Sequence, residues 1–343
     1  MKKLLLFLPV LFSLAAGESY NFLMISDTHF GSADSYYAGP ELKYRTKKDI
    51  YRAGKAMDNI CAMFADMVKK SDDKTRFVIH AGDIIEGYTK NQTTHEKVLR
   101  ESFDLMNKYF SKFPLYFVKG NHEAAGLGGK EAWKNIGLPE LSKTVGKKLS
   151  NTCYSVRCGE DIFVFLDYSY KKHPDFLRET LKNLDFKPRY VFAIIHWEMV
   201  PYYFESKQEV CNILAPYNGM ILHGHSHRTQ HLRYETANGL VTTFSLGTYI
   251  DPDLKKMRFI KTDDNFANYA ASLRKKAVKN NAVEFFEKNL PGVTYYMEYS
   301  SRAKWQGYGK IYVSDEGVFA ELQSADLTDK PLKVELTKIK KLK

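Results

Sequence analysis

The chain has 343 residues, of which 44% are hydrophobic, 14% aromatic and 27% charged. These proportions exclude a collagen-like, low-complexity or wholly disordered chain and supply enough apolar surface for a sizeable core. Four Cys are too few for a disulfide scaffold, and the net charge of +11 is concentrated at the two ends of the chain.

Residues 1–17 carry the marks of an export signal in order: Lys2 and Lys3, an apolar run from Leu4 to Leu14, then Ala15, Ala16 and Gly17. A buried first helix or strand is the competing reading. The apolar run is shorter than the roughly 20 residues a bilayer span needs. No later stretch is apolar enough either, so the mature chain is expected to have no transmembrane segment. It should start near Glu18 and work in the periplasm or outside the cell.

Downstream, short apolar runs alternate with helical periods. Strands are expected at 20–26, 76–81, 114–119, 152–157, 162–166, 189–195, 220–222, 230–235 and 240–246, with a hairpin at 309–313 and 318–322. Helices are expected at 48–70, 91–112, around Trp133, at 174–184 and at 266–289. Residues 32–46 read as a Tyr-rich loop. Cys61 sits on an apolar helical stripe. Cys153 and Cys158 flank a strand whose five-residue interval spans roughly 16 Å, against the roughly 4.4–6.8 Å between Cα atoms in a disulfide. No disulfide is expected.

Polar clusters recur where these strands end. In order they are Asp27-x-His29, Gly82-Asp83-x-x-Glu86, Gly120-Asn121-His122-Glu123, His196 and Gly224-His225-x-His227. Carboxylate, imidazole and amide oxygen suit borderline or hard divalent metals. In layered α/β proteins, loops beyond the carboxyl ends of strands can converge on one site. Each cluster alone is weak; five in order, holding five of the ten His, are not. His80, His95, His173, His223 and His231 lie outside the clusters and read as structural.

With DTH at 27–29, GDIIE at 82–86, GNHE at 120–123, His196 and GHSH at 224–227, the sequence resembles the calcineurin-like metallophosphoesterases over residues 20–250. The resemblance implies an α/β fold, a four-layer αββα sandwich of two mixed β-sheets flanked by helices. The domain would span 18–325, with 309–322 as closing strands. It also implies two divalent ions (Mn, Fe, Zn or Co). Asp27, His29 and His227 would hold the first, Asn121, His196 and His225 the second, and Asp83 would bridge them through its two oxygens. A hydroxide shared between the ions would attack a phosphate mono- or diester. His122 would face the phosphate, and Glu123 would orient the His122 ring or simply lie at the surface. Glu86 stands where purple acid phosphatases carry a ligand Tyr, so a purple iron site is not expected.

The partner implied is a small-molecule phosphate ester. The tail 326–343, with six Lys and one Glu from Lys330 onward, raises nucleic acid as a less favoured partner and a nuclease as an alternative on the same metal site. A non-catalytic binding protein of the same fold is the other alternative; an intact ligand set with His122 argues against it. The 32–46 loop and the stretch from Trp197 to Phe204 are candidate walls of the substrate pocket.

Overall fold

A computed structural model of the protein describes residues 10–12, 17–31, 57–170, 172–197, 205–227, 229–236, 238–247, 294–300, 307–324 and 330–337. The expected 32–46 loop, the start of the first helix, the 198–204 stretch, the 266–289 helix and the end of the basic tail lie outside the described residues.

The strands sort into two mixed sheets. One has six strands in the order β14 (Leu332–Glu335), β13 (Gly317–Ser324), β12 (Gly307–Ser314), β2 (Tyr20–Ile25), β3 (Thr75–His80) and β4 (Leu115–Phe117). In it β2, β3 and β4 run parallel, and β12 to β14 are antiparallel. The other has eight, in the order β1 (Val10–Phe12), β5 (Tyr154–Cys158), β6 (Asp161–Leu166), β7 (Val191–Ile195), β8 (Met220–His223), β10 (Gly239–Ser245), β9 (Gln230–Thr236) and β11 (Thr294–Ser300).

Alternation along the strands decides which layer each residue enters. In β6 and β7, Phe163, Phe165, Phe192 and Ile194 point to the space between the sheets. Ile162, Val164, Leu166, Val191, Ala193 and Ile195 point the other way. That outer set packs with Leu177 and Leu181 of α5 (His173–Lys182) and Val210 and Leu214 of α6 (Glu205–Leu214). Phe22 of β2 stacks on Phe77 of β3 at 5.2 Å and meets Phe163 of the facing sheet edge-on at 5.3 Å. Aromatic residues therefore fill the inter-sheet space.

Helices α1 (Met57–Lys70) and α2 (Gln92–Phe110) add to the same core with Ile60, Met63, Phe64 and Met67, and with Val98, Leu99, Phe103 and Met106. The spacing of these residues is the helical period of an apolar stripe. Asn91 caps α2 by accepting a hydrogen bond from the Thr94 amide. The stretch around Trp133 is helical from 129 to 145: α3 (Gly129–Ala132), a wider π-type turn (Trp133–Gly137) and α4 (Leu138–Val145). The architecture is the expected α/β arrangement of two mixed sheets with flanking helices.

Two features lie at the end of the sheets where β2, β6 and β7 begin. Asp161 is fully buried and accepts from Tyr20 Oη (2.9 Å) and from Arg189 Nη2 (2.7 Å), tying β2 to β6 and β7. Within the expected leader, Val10–Phe12 forms strand β1, in parallel register with Val156–Cys158 at the outer edge of the eight-stranded sheet. No helix among the described residues is long and apolar enough to cross a membrane.

Candidate metal centre

The polar clusters gather at the opposite end, just beyond the carboxyl ends of β2, β3, β4, β7 and β8. The loops turn sharply. Asp27, His29, Asp83, His225 and His227 all have φ between 47° and 67°, in the left-handed region. Non-Gly residues there carry a cost of order 1–3 kcal/mol each and persist only where the surroundings hold them. Two glycines let the loops close on one another. A Cβ on Gly120 would collide with the Asp83 carboxylate and amide, and one on Gly224 with the Ser26 hydroxyl and the Asp27 carboxylate.

Asp27, His29, Asp83 and His227 bring ligand atoms within 4.8 Å of one another, and so do Asp83, His196 and His225. In the first group His29 Nε2 lies 3.1 Å from His227 Nε2, 4.0 Å from Asp27 Oδ1 and 3.9 Å from Asp83 Oδ2. His227 Nε2 lies 3.4 Å from Asp27 Oδ1. In the second, His196 Nε2 is 3.0 Å from Asp83 Oδ2, buried and without hydrogen-bond geometry. Asn121 reaches this second corner through Trp197, whose Nε1 donates to Asn121 Oδ1 (3.3 Å) and whose ring lies 5.2 Å from that of His225.

The rings are set from behind. His29 Nδ1 lies 2.9 Å from Glu86 Oε2, and His196 Nδ1 donates to the Ala81 carbonyl at 2.8 Å. The Ala81 carbonyl holds the His196 proton on Nδ1, the charge of the Glu86 carboxylate draws the His29 proton to the same atom, and both rings turn Nε2 to the acids, an arrangement that suits metal ligation. Asp27, His29, Asp83 and His196 are buried while His225 and His227 reach toward solvent, and together they offer carboxylate oxygens and imidazole nitrogens, a donor set that fits divalent cations.

The charged groups act strongly on one another. Burial disfavours a charged His196, yet the adjacent Asp83 carboxylate outweighs it and lifts the ring to about 9. Burial likewise pushes Asp27 up, and His227 overrides it to hold the carboxyl at about 2. Burial and then His196 push His225 down to about 4.

A profile of the calcineurin-like phosphoesterases matches residues 20–229, more than half of the chain. This chain belongs to the calcineurin-like phosphoesterase family. It is thereby assigned to a metal-dependent group of hydrolases, and the buried Asp and His clusters are where such ions could sit. Among solved structures, PhoD is similar at 11% identity with a TM-score of 0.52, over 94% of this chain and 70% of PhoD. GAP50, described as the anchor in the inner membrane complex of Plasmodium, is similar at 11% identity with a TM-score of 0.50, over 94% of this chain and 90% of that one. At such identities the likeness is one of fold alone. A sequence search of curated proteins found no match.

In this phosphoesterase one of the expected roles needs correction. Glu123 is neither at the surface nor against the His122 ring. It is fully buried, and its carboxylate accepts from the backbone amides of Asp83 (3.1 Å), Ile85 (3.1 Å) and Gly120 (2.5 Å). It pins the loop after β3 to the loop after β4. Burial and the nearby Asp83 charge push it up to about 7, against three amides that favour its ionised form. Asp83 belongs to both candidate groups, and its two oxygens have different surroundings. Oδ1 accepts from the His122 amide (2.9 Å), and Oδ2 lies 3.0, 3.9 and 3.8 Å from Nε2 of His196, His29 and His122.

His122 lies beside the first group, its ring 4.5 Å from that of His29 and near-perpendicular to it. Its Nδ1 donates to the Glu86 carbonyl at 2.5 Å, so Nε2 faces the centre. Glu86 thus steadies His29 with its side chain and His122 with its backbone. Its place within GDIIE was visible in the sequence, but that task was not. His80 and His95 are buried supports, as expected. His80 Nδ1 accepts from the Gly82 amide (3.2 Å) while Nε2 donates to Thr28 Oγ1 (2.9 Å), which donates on to the Ile84 carbonyl (2.9 Å). Burial drives His80 down to about 3 and keeps it neutral. His95 Nε2 donates to the Glu123 carbonyl at 3.0 Å.

Proposed function

We propose that this protein is an exported hydrolase of small-molecule phosphate mono- or diesters that works with two divalent ions. Asp27, His29 and His227 hold one ion, Asn121, His196 and His225 the other, and Asp83 Oδ2 lies between. The observation that carries the reading is the position of that oxygen, 3.9 Å from His29 Nε2 on one side and 3.0 Å from His196 Nε2 on the other. When bound, the ions supply Lewis-acid chemistry: a nucleophile from water at neutral pH and an offset to charge building on the phosphoryl oxygens. Mn, Fe, Zn and Co suit this donor set better than Ca.

The chain supplies orientation and a proton. Glu123 fixes the loop carrying Asp83 against the loop carrying His122. The Glu86 carbonyl holds the proton on His122 Nδ1, so it is the imidazolium form of His122 that carries a second proton, on Nε2, to give to a departing alkoxide, leaving the neutral Nδ1–H ring. His122→Ala is the test. With both ions retained, hydrolysis of alkyl phosphates should fall by about 10²–10⁴-fold. Nitrophenyl phosphate, whose leaving group needs little protonation, should suffer less. Wild-type rates on the alkyl ester would remove His122 from the mechanism, and loss of an ion would make it a ligand.

Export rests on the composition of residues 1–17. Among the described residues strand β1 pairs with β5 alone, at the end of the strand order, so its removal unpairs only β5 there. Mass spectrometry of protein recovered from outside the cytoplasm should find a chain starting near Glu18. A chain retaining Met1 in the cytosol would refute export.

A further inference from the structure

We infer that Trp197 is a positioning residue for the second ion, setting the Asn121 carboxamide and the His225 ring; this rests on the two-ion reading above. Trp197 follows the ligand His196 at the end of β7, and only part of its surface is buried. It belongs to neither apolar core cluster. Its ring stacks on Tyr168 at 5.3 Å and 21°, and lies over His225 at 5.2 Å and 39°.

The carboxamide argument is one of donors and acceptors. An Asn side chain can present either its oxygen or its NH₂ to a given point, and only the oxygen can bind a cation. Indole Nε1–H is a donor and nothing else. With Nε1 3.3 Å from Asn121, the group facing Trp197 must be the carbonyl oxygen. The second lone pair of that oxygen is then left for an ion. Trp197 therefore selects the flip in which Asn121 can ligate.

The ring argument is one of support. His29 and His196 each have an Nδ1 partner, Glu86 and the Ala81 carbonyl. Among the described residues no hydrogen bond holds the His225 ring; its backbone amide bonds to Asp27. The His225 backbone is left-handed, with φ 67°, so the loop does not by itself give the ring a common rotamer environment. The Trp197 face supplies the missing restraint, and Tyr168, from the loop after β6, backs it. The column Tyr168–Trp197–His225, with Asn121 at its edge, joins loops from both sheets.

The test uses the full chain freed of metal and titrated with Co²⁺, read by ligand-field absorption and by ions bound per chain. Wild type should take up two ions. Trp197→Ala should weaken one uptake step by about 10–100-fold, the range seen when outer-shell partners of metal ligands are removed. Trp197→Phe keeps the ring over His225 but loses the donor, so it should fall between. The weakened step should be the one lost in Asn121→Ala and His225→Ala, and Trp197→Ala should add nothing to that pair. If both Trp197 variants bind two ions with wild-type affinities, or weaken the step lost in His29→Ala, the inference is wrong. A lower melting temperature with unchanged uptake would also overturn it. Should Trp197→Ala fail to fold, the Phe variant decides. Wild type taking up fewer than two ions would instead overturn the two-ion reading.

Discussion

Removing the Glu86 carboxylate should weaken the first ion without touching the second. His29 and Glu86 are 1% and 2% exposed, and His29 Nδ1 lies 2.9 Å from Glu86 Oε2. Water cannot readily take the place of a lost acceptor there. In Glu86→Ala, Nδ1 loses its partner and the ring can turn or carry its proton on Nε2, where it no longer ligates. A loss of about 100-fold, or about 2.7 kcal/mol, is expected at the upper end for an outer-shell carboxylate. In Glu86→Gln, the amide oxygen can still accept from Nδ1, but the charge that makes the imidazole a stronger ligand is gone. There the loss should be about 10-fold, or about 1.4 kcal/mol. The Glu86 carbonyl is unchanged in both, so His122 keeps its Nδ1 partner. Mn²⁺ titration of the metal-free chain against a competing chelator reads the affinities. Glu86→Ala combined with His29→Ala should bind no more weakly than His29→Ala alone. Wild-type affinity in both single variants would refute the argument.

Glu123→Ala strands three buried amides, at about 1–3 kcal/mol each, so denaturant unfolding should show a loss of at least about 3 kcal/mol together with weaker ion binding. Gly120→Ala drives a methyl into the Asp83 carboxylate and amide; stability should fall toward the upper part of the roughly 1–3 kcal/mol range for overpacking, measured the same way. Adding Mn²⁺ at 100 times its dissociation constant should stabilise the metal-free chain by about 2.7 kcal/mol per site in thermal melts, and a chelator should reverse it. Asp72 is pushed up by burial but held at about 2 overall by Lys310 and Asn21. Its contribution is therefore present above the ordinary carboxylate range and lost as the pH falls from about 4 to 2. Asp72 is 43% exposed, so Asp72→Asn should flatten that acid limb by no more than about 1 kcal/mol.

The convergence of the polar clusters was legible because each follows an apolar strand within a few residues, and the carboxyl ends of those strands, in both sheets, lie at one end of the fold. Paired residues such as Asp27 and His29, or His225 and His227, then have nowhere to point but the common end. The backs of the rings were not legible. Which acid meets His29 Nδ1, and which amides Glu123 gathers, depends on contacts between loops that are distant in the sequence. The resemblance implied Asp83 as a bridge; that one of its oxygens also accepts from the His122 amide, which arrives in the loop after another strand, was not legible. Strand β1 was also unreadable, because an apolar run of that length satisfies a leader, a strand or a short helix equally well.

The left-handed backbone at Asp27, His29, Asp83, His225 and His227 narrows the alphabet of this centre independently of any ion. Asn, Asp and His enter that region far more readily than other side chains do, and β-branched residues hardly at all. Glu or Gln, adequate donors in many metal sites, would have to reach from a backbone that disfavours them. Asp27→Glu should therefore be tolerated worse than its unchanged charge implies, whereas Asp27→Asn should keep the loop and lose only the charge. A library randomised at these five positions and selected only for folding, with no demand for activity, should still return Asp, Asn, His and Gly. The spelling of the motifs is in part a record of how tightly the chain turns there.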